Sequence, residues 1–180
     1  EIKSDYANAY NNLGVALNDD GNPEAAVESC KKALEIKPDY AEAYNNIGNA
    51  LAAKAELEAA IQNYKQAIKF KPDYAEAYNN MGAALQTKGN LDAAINSYKQ
   101  ALTVSPGYAE AYNNMGATLM VKGDRLAAMD CFSQALVLNP TLVDARYNIG
   151  VILYEDKQYE EAAKYFEASS LSKSRRFLLR

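Results

Sequence analysis

Asparagine recurs at a fixed step of 34 residues along the chain, as Asn12, Asn46, Asn80, Asn114 and Asn148. Asparagine is a mediocre helix former, and its carboxamide offers one acceptor group and two donor hydrogens. A row of such amides suits the N–H and C=O groups of an extended polypeptide backbone, which every sequence carries. The spacing therefore predicts a surface that holds an extended peptide with little sequence preference. Hydrogen bonding between the repeated units, or descent by duplication alone, remains the alternative explanation.

Residue types that commonly catalyse reactions or bind metals and phosphates are scarce. The chain has no histidine, the commonest general base and transition-metal ligand, and no phosphate-binding glycine loop. Its two cysteines, Cys30 and Cys131, lack metal-type spacing and fall on apolar helix faces. They are predicted to be buried free thiols, with a disulfide or a reactive thiol as the alternatives. We expect no catalytic residue, no metal site and no cofactor in these 180 residues.

Charge and hydropathy narrow the possible partners. The net charge of −4 argues against general affinity for nucleic acid. Residues 171–180 are basic, with Lys173, Arg175, Arg176 and Arg180 and no acid, so the remainder of the chain is more acidic than the total suggests. The apolar runs are far shorter than the roughly 18 residues of a membrane span. No integral membrane segment is expected, and a cytoplasmic location is the resulting prediction.

The asparagines belong to a longer periodic pattern. Glycine and proline keep the same 34-residue step, at Gly14, Gly48, Gly82, Gly116 and Gly150 and at Pro38, Pro72, Pro106 and Pro140. Each unit contains two stretches with apolar residues at helical spacing, separated by a turn such as Gly21-Asn22 or Gly123-Asp124. We predict that the Asn or Asp of this turn caps the second helix. A glycine inside each first helix predicts close approach of the paired helix.

The pattern resembles the tetratricopeptide repeat family, whose units read W-x2-L-G-x2-Y, then A-x3-F, then P. In the second unit the matching residues are Tyr44, Ile47, Gly48, Leu51, Ala60, Tyr64, Ala67 and Pro72. The resemblance implies an all-α fold, an α-solenoid of helix-turn-helix repeats wound as an open right-handed superhelix. The expected repeats are residues 7–40, 41–74, 75–108, 109–142 and a degenerate fifth at 143–170. Residues 1–6 resemble the end of a preceding repeat, and 171–180 form a basic tail or begin a capping helix.

In this family, the second, sixth, ninth and thirteenth positions of each first helix face a concave groove that binds peptides. The asparagines named above occupy the sixth position, and the row resembles the asparagine ladder in the repeat arm of O-linked N-acetylglucosamine transferases. The fifth-position residues Asn11, Asn45, Asn79 and Asn113 are predicted to bond between repeats instead. Further groove candidates are the acidic rim residues Glu42, Glu76 and Glu110, together with Asn49. The rim favours basic peptides, or Glu42 and Glu76 form capping boxes with Asp39 and Asp73.

Toward the C-terminal end the groove positions become apolar, with Met120, Val121 and Tyr154 as candidates. This stretch is expected to anchor a partner's apolar side chains or to receive the chain's own Phe177-Leu178-Leu179. The leading functional prediction is a non-enzymatic scaffold for protein–protein interaction. Its alternatives are the substrate-recruiting arm of a larger enzyme, such as a glycosyltransferase, and a module that self-associates through the ends of its array.

Overall fold

The computed structural model describes the backbone of residues 2–177 and the side chains of residues 6–169. Within residues 2–177 the chain is entirely helical, with short turns between helices and no strand. The helices are α1 (Ile2–Asp19), α2 (Pro23–Ile36), α3 (Ala41–Ala53), α4 (Leu57–Phe70), α5 (Ala75–Thr87), α6 (Leu91–Val104), α7 (Ala109–Lys122), α8 (Arg125–Leu138), α9 (Val143–Glu155) and α10 (Tyr159–Phe177). The predicted α-solenoid of helical hairpins is confirmed.

The helices pair as hairpins, and the hairpins form two compact units, residues 1–104 and 105–180. The N-terminal unit holds three hairpins, α1–α2, α3–α4 and α5–α6; the C-terminal unit holds α7–α8 and α9–α10. Within a unit, the second helix of one hairpin packs on the first helix of the next, as α2 packs on α3 and α8 on α9. Each hairpin therefore buries its apolar residues partly against its neighbour.

The turn inside each hairpin places one residue in the left-handed backbone region. Gly21, Gly89 and Gly123 occupy it with φ of 79°, 86° and 90°. The corresponding residues of the second and fifth hairpins are Ala55 (φ 60°) and Lys157 (φ 64°), which lack the freedom of glycine. The predicted caps are confirmed at Asn22 and Asp124, whose side chains accept from the backbone N–H groups of Ala25 and Ala127.

The predicted capping boxes at the first helices are wrong. The residue at the N-cap of α3 is Tyr40 and that of α5 is Tyr74, and neither makes a side-chain cap bond. Asp39 and Asp73 lie one residue too early to reach the first turn. The Tyr40 hydroxyl instead donates to Oδ1 of Asn8 in the preceding hairpin, at 2.8 Å. Tyr40 thus links neighbouring hairpins rather than capping its own helix.

The glycines of the first helices allow close contact with the second helices, as predicted. A Cβ added to Gly48 would lie 2.5 Å from the Tyr64 ring, and one added to Gly82 would lie 2.6 Å from the Tyr98 ring. Gly116 and Gly150 meet Phe132 and Phe166 in the same way. In the first hairpin Cys30 takes the aromatic's place. Cys30 and Cys131 are both buried and free, as predicted.

The two ends differ from the inner hairpins. Ser4 stands where inner repeats carry proline, and the helix α1 runs through this position from Ile2. At the other end α10 continues to Phe177. In the fifth hairpin Arg146 replaces the tyrosine of the other repeats, and its guanidinium donates to the carbonyl oxygens of Ala168 and Pro140. None of the described helices is long and apolar enough to cross a membrane.

Candidate functional site

The sixth-position asparagines reach back to the fifth-position asparagines of the preceding hairpin. Nδ2 of Asn46 donates to Oδ1 of Asn11 at 2.8 Å, and Nδ2 of Asn80 donates to Oδ1 of Asn45 at 3.2 Å. In the C-terminal unit Asn148 donates to Asn113 at 3.3 Å. The predicted inter-repeat role is therefore confirmed for Asn11, Asn45 and Asn113. The sixth-position amides share in these bonds, and their role in peptide binding stays a prediction.

The remaining members of the row have different surroundings. Asn12 is exposed, and its side chain makes no hydrogen bond among the described residues. Asn114 is half-buried, and its backbone oxygen accepts from the Thr118 hydroxyl at 2.9 Å. Asn79, at the fifth position, donates to the side chain of its neighbour Asn80 at 3.4 Å. We call the five sixth-position residues, Asn12, Asn46, Asn80, Asn114 and Asn148, the asparagine row.

Around Asn80 the bonds extend into a network inside the N-terminal unit. Nδ2 of Asn80 also lies 3.1 Å from Oδ1 of Asn49, and the Tyr64 hydroxyl donates to the same oxygen at 2.9 Å. Burial, with a smaller contribution from Glu76, raises the pKa of Tyr64 well above its ordinary value, so the hydroxyl remains a donor. Asn45 is completely buried and donates to Glu76 at 3.2 Å. The network fixes the amides of α3 and α5 relative to one another.

A hollow of about 270 Å³ lies beside this network, between α3 and α5. Asn49, Asn80, Ala83 and Thr87 contribute to its walls, together with Ala52 and the Tyr64 hydroxyl end. These include sixth, ninth and thirteenth positions, which the sequence predicts to face the groove. The N-terminal unit thus has a mostly apolar depression with a few polar groups on the predicted groove side.

The predicted acidic rim is partly neutralised. Lys71 forms an ion pair with Glu42 at 2.9 Å. Burial opposes ionisation of Glu42, but the hydrogen bond from Lys71 and one from the backbone outweigh it and lower the pKa of Glu42. Glu76 and Glu110 are both exposed, and Glu76 accepts a hydrogen bond from Asn45. The potential of this edge is therefore less negative than its three carboxylates alone suggest.

The apolar groove candidates of the C-terminal unit differ in how exposed their side chains are. Met120 packs against the core cluster of Phe132 and Ile149 and is only partly accessible. Val121 and Tyr154 are 67% and 58% exposed, and the Tyr154 ring meets Tyr159 edge-on, 5.3 Å between centroids. The alternative in which Phe177-Leu178-Leu179 cover this stretch lies outside the side chains that the structure describes.

Sequence reasoning missed Tyr64 and Ala52 as parts of the hollow, whereas Thr87 occupies a thirteenth position, which it predicts to face the groove. The repeat pattern marks Tyr64 only as one of its matching positions, although the Tyr64 hydroxyl orients Asn49. A signal was present at Ala52, where the other repeats carry the larger residues Asn18, Gln86, Met120 and Tyr154. Among the described residues no group of three or more His, Cys, Asp or Glu side chains is placed to hold a metal ion.

Comparison with known proteins identifies the architecture. Sequence profiles described as tetratricopeptide or TPR repeat match residues 7–40, 29–62, 48–89, 87–123 and 114–172. A search of curated proteins finds no match.

Similar solved structures include pilF of Pseudomonas aeruginosa, with 24% identity, a TM-score of 0.89, and 96% of this chain and 78% of that chain covered. MamA of Desulfovibrio magneticus RS-1 has 20% identity and a TM-score of 0.77, covering 94% and 96% of the two chains. YrrB, described as a TPR protein with an unusual peptide-binding site, has 22% identity and a TM-score of 0.67, covering 92% and 85%. At this identity the structures show a shared fold. The profiles, which together span residues 7–172, establish that this chain belongs to the tetratricopeptide repeat family.

Proposed function

We propose that this chain is a protein-interaction module that holds an extended peptide along the first helices of its repeats. The observation that carries the proposal is the hydrogen-bonding capacity left on the asparagine row. Asn46 uses Nδ2 to bond Asn11, and its Oδ1 has no partner among the described residues. An amide has one acceptor oxygen and two N–H donors, so this geometry leaves groups for a ligand.

The bonds between repeats support binding rather than compete with it. Because the amides of Asn46 and Asn148 are each anchored through Nδ2, they lose less side-chain entropy when a peptide bonds to the oxygen. The asparagines recur at one phase, so successive amides meet similar backbone groups of an extended ligand. YrrB, which shares the fold, is described as having a peptide-binding site, which adds support by analogy.

Peptide arrays test this proposal. Overlapping 12-residue unstructured peptides are screened for binding to the wild type, to the double variant Asn12→Ala/Asn46→Ala, and to a control carrying Gln66→Ala, Gln100→Ala and Gln134→Ala. The three glutamines share one repeat phase, are exposed, and lie on second helices. Asn12 makes no hydrogen bond that its replacement would break among the described residues.

The expected result is that binding weakens about tenfold in the asparagine variant and is unchanged in the glutamine variant, since two lost hydrogen bonds are worth roughly 1–3 kcal/mol. Methylating the backbone nitrogens of a bound peptide is expected to abolish binding, because the row contacts the backbone. Equal binding by all three proteins, with helicity unchanged, contradicts the proposal.

The sequence also suggests the recruiting arm of a larger enzyme, by the resemblance to glycosyltransferase repeat arms. That proposal shares the same groove and differs only in what else the intact polypeptide contains. Its mass, measured on the natural protein, separates the two, because a catalytic domain adds tens of kilodaltons.

Self-association is a second candidate, favoured by an apolar face of α1 that no described hairpin covers. Leu13 is 50% exposed, whereas the equivalent residues Ile47 and Ile149 are 4% and 3% exposed under a preceding hairpin. An apolar face of this kind gains free energy when a second helix covers it. A molar mass that rises with concentration for the wild type and stays monomeric for Leu13→Glu would support it.

A further inference from the structure

The amide that accepts from the tyrosine of the second helix lies about one helical turn earlier in the second repeat than in the third. In the third repeat the Tyr98 hydroxyl donates to Oε1 of Gln86, at 3.2 Å. The equivalent of Gln86 in the second repeat is Ala52, which has no group to accept such a bond. There the equivalent tyrosine, Tyr64, donates to Asn49 instead, three residues earlier on α3. The space that a glutamine side chain takes in the third repeat is open in the second.

The amide of Asn49 is held with its donor side unused. Its Oδ1 accepts from both Tyr64 and Asn80, at 2.9 and 3.1 Å, and so has both lone pairs occupied. Its Nδ2 has no partner among the described residues, and the residue lines the hollow. The ninth position of every other repeat is aliphatic: Val15, Ala83, Ala117 and Val151. The second repeat alone places a carboxamide donor there.

Acceptors accompany this donor. The Tyr64 oxygen donates its single hydrogen to Asn49 and retains acceptor capacity. The Thr87 hydroxyl donates to the backbone oxygen of Ala83 at 2.9 Å and can likewise accept a bond. The hollow therefore offers the N–H donors of Asn49 and hydroxyl acceptors within a mostly apolar wall of alanines and Leu57. At about 270 Å³ it falls below the roughly 300–1,000 Å³ of drug-sized pockets, and it suits one side chain.

The lysines next in sequence to the lining residues Ala55 and Thr87 are already paired with carboxylates. Lys54 pairs with Glu24 at 3.2 Å and with Glu56 at 2.8 Å, and Lys88 pairs with Glu58 at 2.7 Å. Both cations are thus already paired, and the group carries one carboxylate more than ammonium ions. A ligand carboxylate would meet no unpaired cation here, whereas a carboxamide can both accept from Asn49 and donate to the hydroxyls.

We propose that this hollow is a side-chain subsite for a glutamine of the bound peptide, which fills the place that Gln86 fills in the third repeat. The inference rests on the proposed function, because it assigns one anchor residue to a peptide that the asparagine row holds by its backbone. The asparagine row contacts only the peptide backbone and so accepts many sequences. The hollow adds a preference for glutamine at one position of the peptide.

Pools of acetylated, amidated 12-residue peptides provide the test. The central residue is fixed as Gln, Glu, Met or Ala, and the other positions are mixtures of Gly, Ser, Thr and Ala. Affinities are measured by fluorescence anisotropy with the full chain. We expect the Gln pool to bind about tenfold more tightly than the Ala pool, as two added hydrogen bonds imply, and more tightly than the Glu and Met pools.

Two variants test whether the preference for glutamine arises in the hollow. Ala52→Gln restores the residue type of the third repeat and is expected to bring the Gln pool to the affinity of the Ala pool. Asn49→Val, the residue type of the first and fifth repeats, removes the donor and is expected to do the same. Ala93→Gln makes the same chemical change at an exposed position of α6 and serves as the control that keeps the preference. Circular dichroism checks that each variant is folded.

The outcomes separate the two proposals. If no pool binds, or if binding ignores Asn12→Ala/Asn46→Ala, the proposed function fails and the inference fails with it. If binding depends on the asparagine row but the four pools are equal, or if the Gln preference survives Ala52→Gln, the inference alone is overturned. A Gln preference that Ala52→Gln removes and Ala93→Gln retains supports it.

Discussion

Asn46 donates a hydrogen bond to Asn11 at 2.8 Å, joining the first helices of two successive hairpins. The two residues are 35 positions apart, one more than the repeat length, so the bond runs between different phases of the repeat. The same offset recurs between Asn80 and Asn45 and between Asn148 and Asn113. Polar bonds therefore connect hairpins whose apolar contacts alone would leave their relative position less defined.

A double-mutant cycle on this pair measures the bond. Asn11→Ala and Asn46→Ala are each expected to destabilise the protein by about 0.5–1.5 kcal/mol, and the double variant by less than their sum. Urea denaturation followed by circular dichroism gives the free energies of unfolding. Additive losses would show that the two amides do not interact. Asn12→Ala serves as the control and is expected to change stability by less than about 0.5 kcal/mol.

Replacing Gly48 with alanine is expected to destabilise the second hairpin. The added Cβ would lie 2.5 Å from the Tyr64 ring, so α3 and α4 must separate or the ring must move. Overpacking of this kind costs about 1–3 kcal/mol. Thermal unfolding should show a lower Tm for Gly48→Ala. Gly107→Ala is the matched control, because nothing lies within 4 Å of its added Cβ, and a similar loss there would argue against the steric explanation.

Ala55→Gly is expected to stabilise the protein. Ala55 has φ of 60°, a conformation that costs a non-glycine residue roughly 1–2 kcal/mol. The greater flexibility of glycine in the unfolded chain cancels part of the gain, leaving about 0.5–1 kcal/mol. The reciprocal change Gly89→Ala, at φ of 86°, should destabilise by a similar or larger amount. Chemical denaturation of both variants checks the prediction, and a loss of stability in Ala55→Gly would refute it.

The Lys71–Glu42 pair predicts a dependence of stability on pH. The pKa of Glu42 is lowered despite its burial, so its contribution is present above its ordinary pKa of 4.5 and is lost as pH falls through the folded value. The pKa of Lys71 is raised, chiefly by its hydrogen bond to Glu42, so its contribution is lost only as pH rises past 10.5.

Lys71→Met should therefore cost at most about 1 kcal/mol near pH 7, because the pair is partly exposed. The difference from the wild type should shrink as the pH falls below 4.5 and Glu42 becomes protonated, which stability curves at several pH values would detect. Lys32→Met, which removes the more exposed Lys32–Glu28 pair, should have a smaller effect. A constant difference between pH 3 and pH 7 would exclude the ion pair as the cause.

Cys30 is expected to resist thiol reagents. It is fully buried, and burial raises the pKa of its thiol to about 11, so little thiolate forms at pH 8. In a Cys131→Ala background, labelling by a disulfide reagent should be slow in the folded protein and fast in urea. Rapid labelling of the folded protein at pH 8 would instead support the reactive-thiol alternative.

The periodic features of the fold were predictable from sequence, and the local exceptions were not. Five glycines recur at the same position of the first helices, where glycine is unfavourable unless another helix packs closely against it. The contacts with Tyr64 and its equivalents were therefore predictable. Asp39 was wrongly predicted to cap α3, since a capping box is defined by spacing alone while the helix begins one residue later, after Tyr40. The direction in which Tyr64 donates depends on the side chain at Ala52 and on the position of α5, neither of which a one-dimensional pattern records.

The offset between bonded residues has an evolutionary consequence. If recombination removed residues 41–74, Asn80 would come 35 positions after Asn11, as Asn46 does now. Lys88 would likewise take the sequence position relative to Glu24 that Lys54 has now, and could form the same ion pair. A bond from Asn80 to Asn11 would be available at the new junction, whereas the bond from Asn80 to Asn49 would be lost, because the ninth position of the first repeat is Val15. Gene rearrangement can thus shorten or lengthen the array in whole units while selection acts on what distinguishes a unit, such as the hollow beside Asn49.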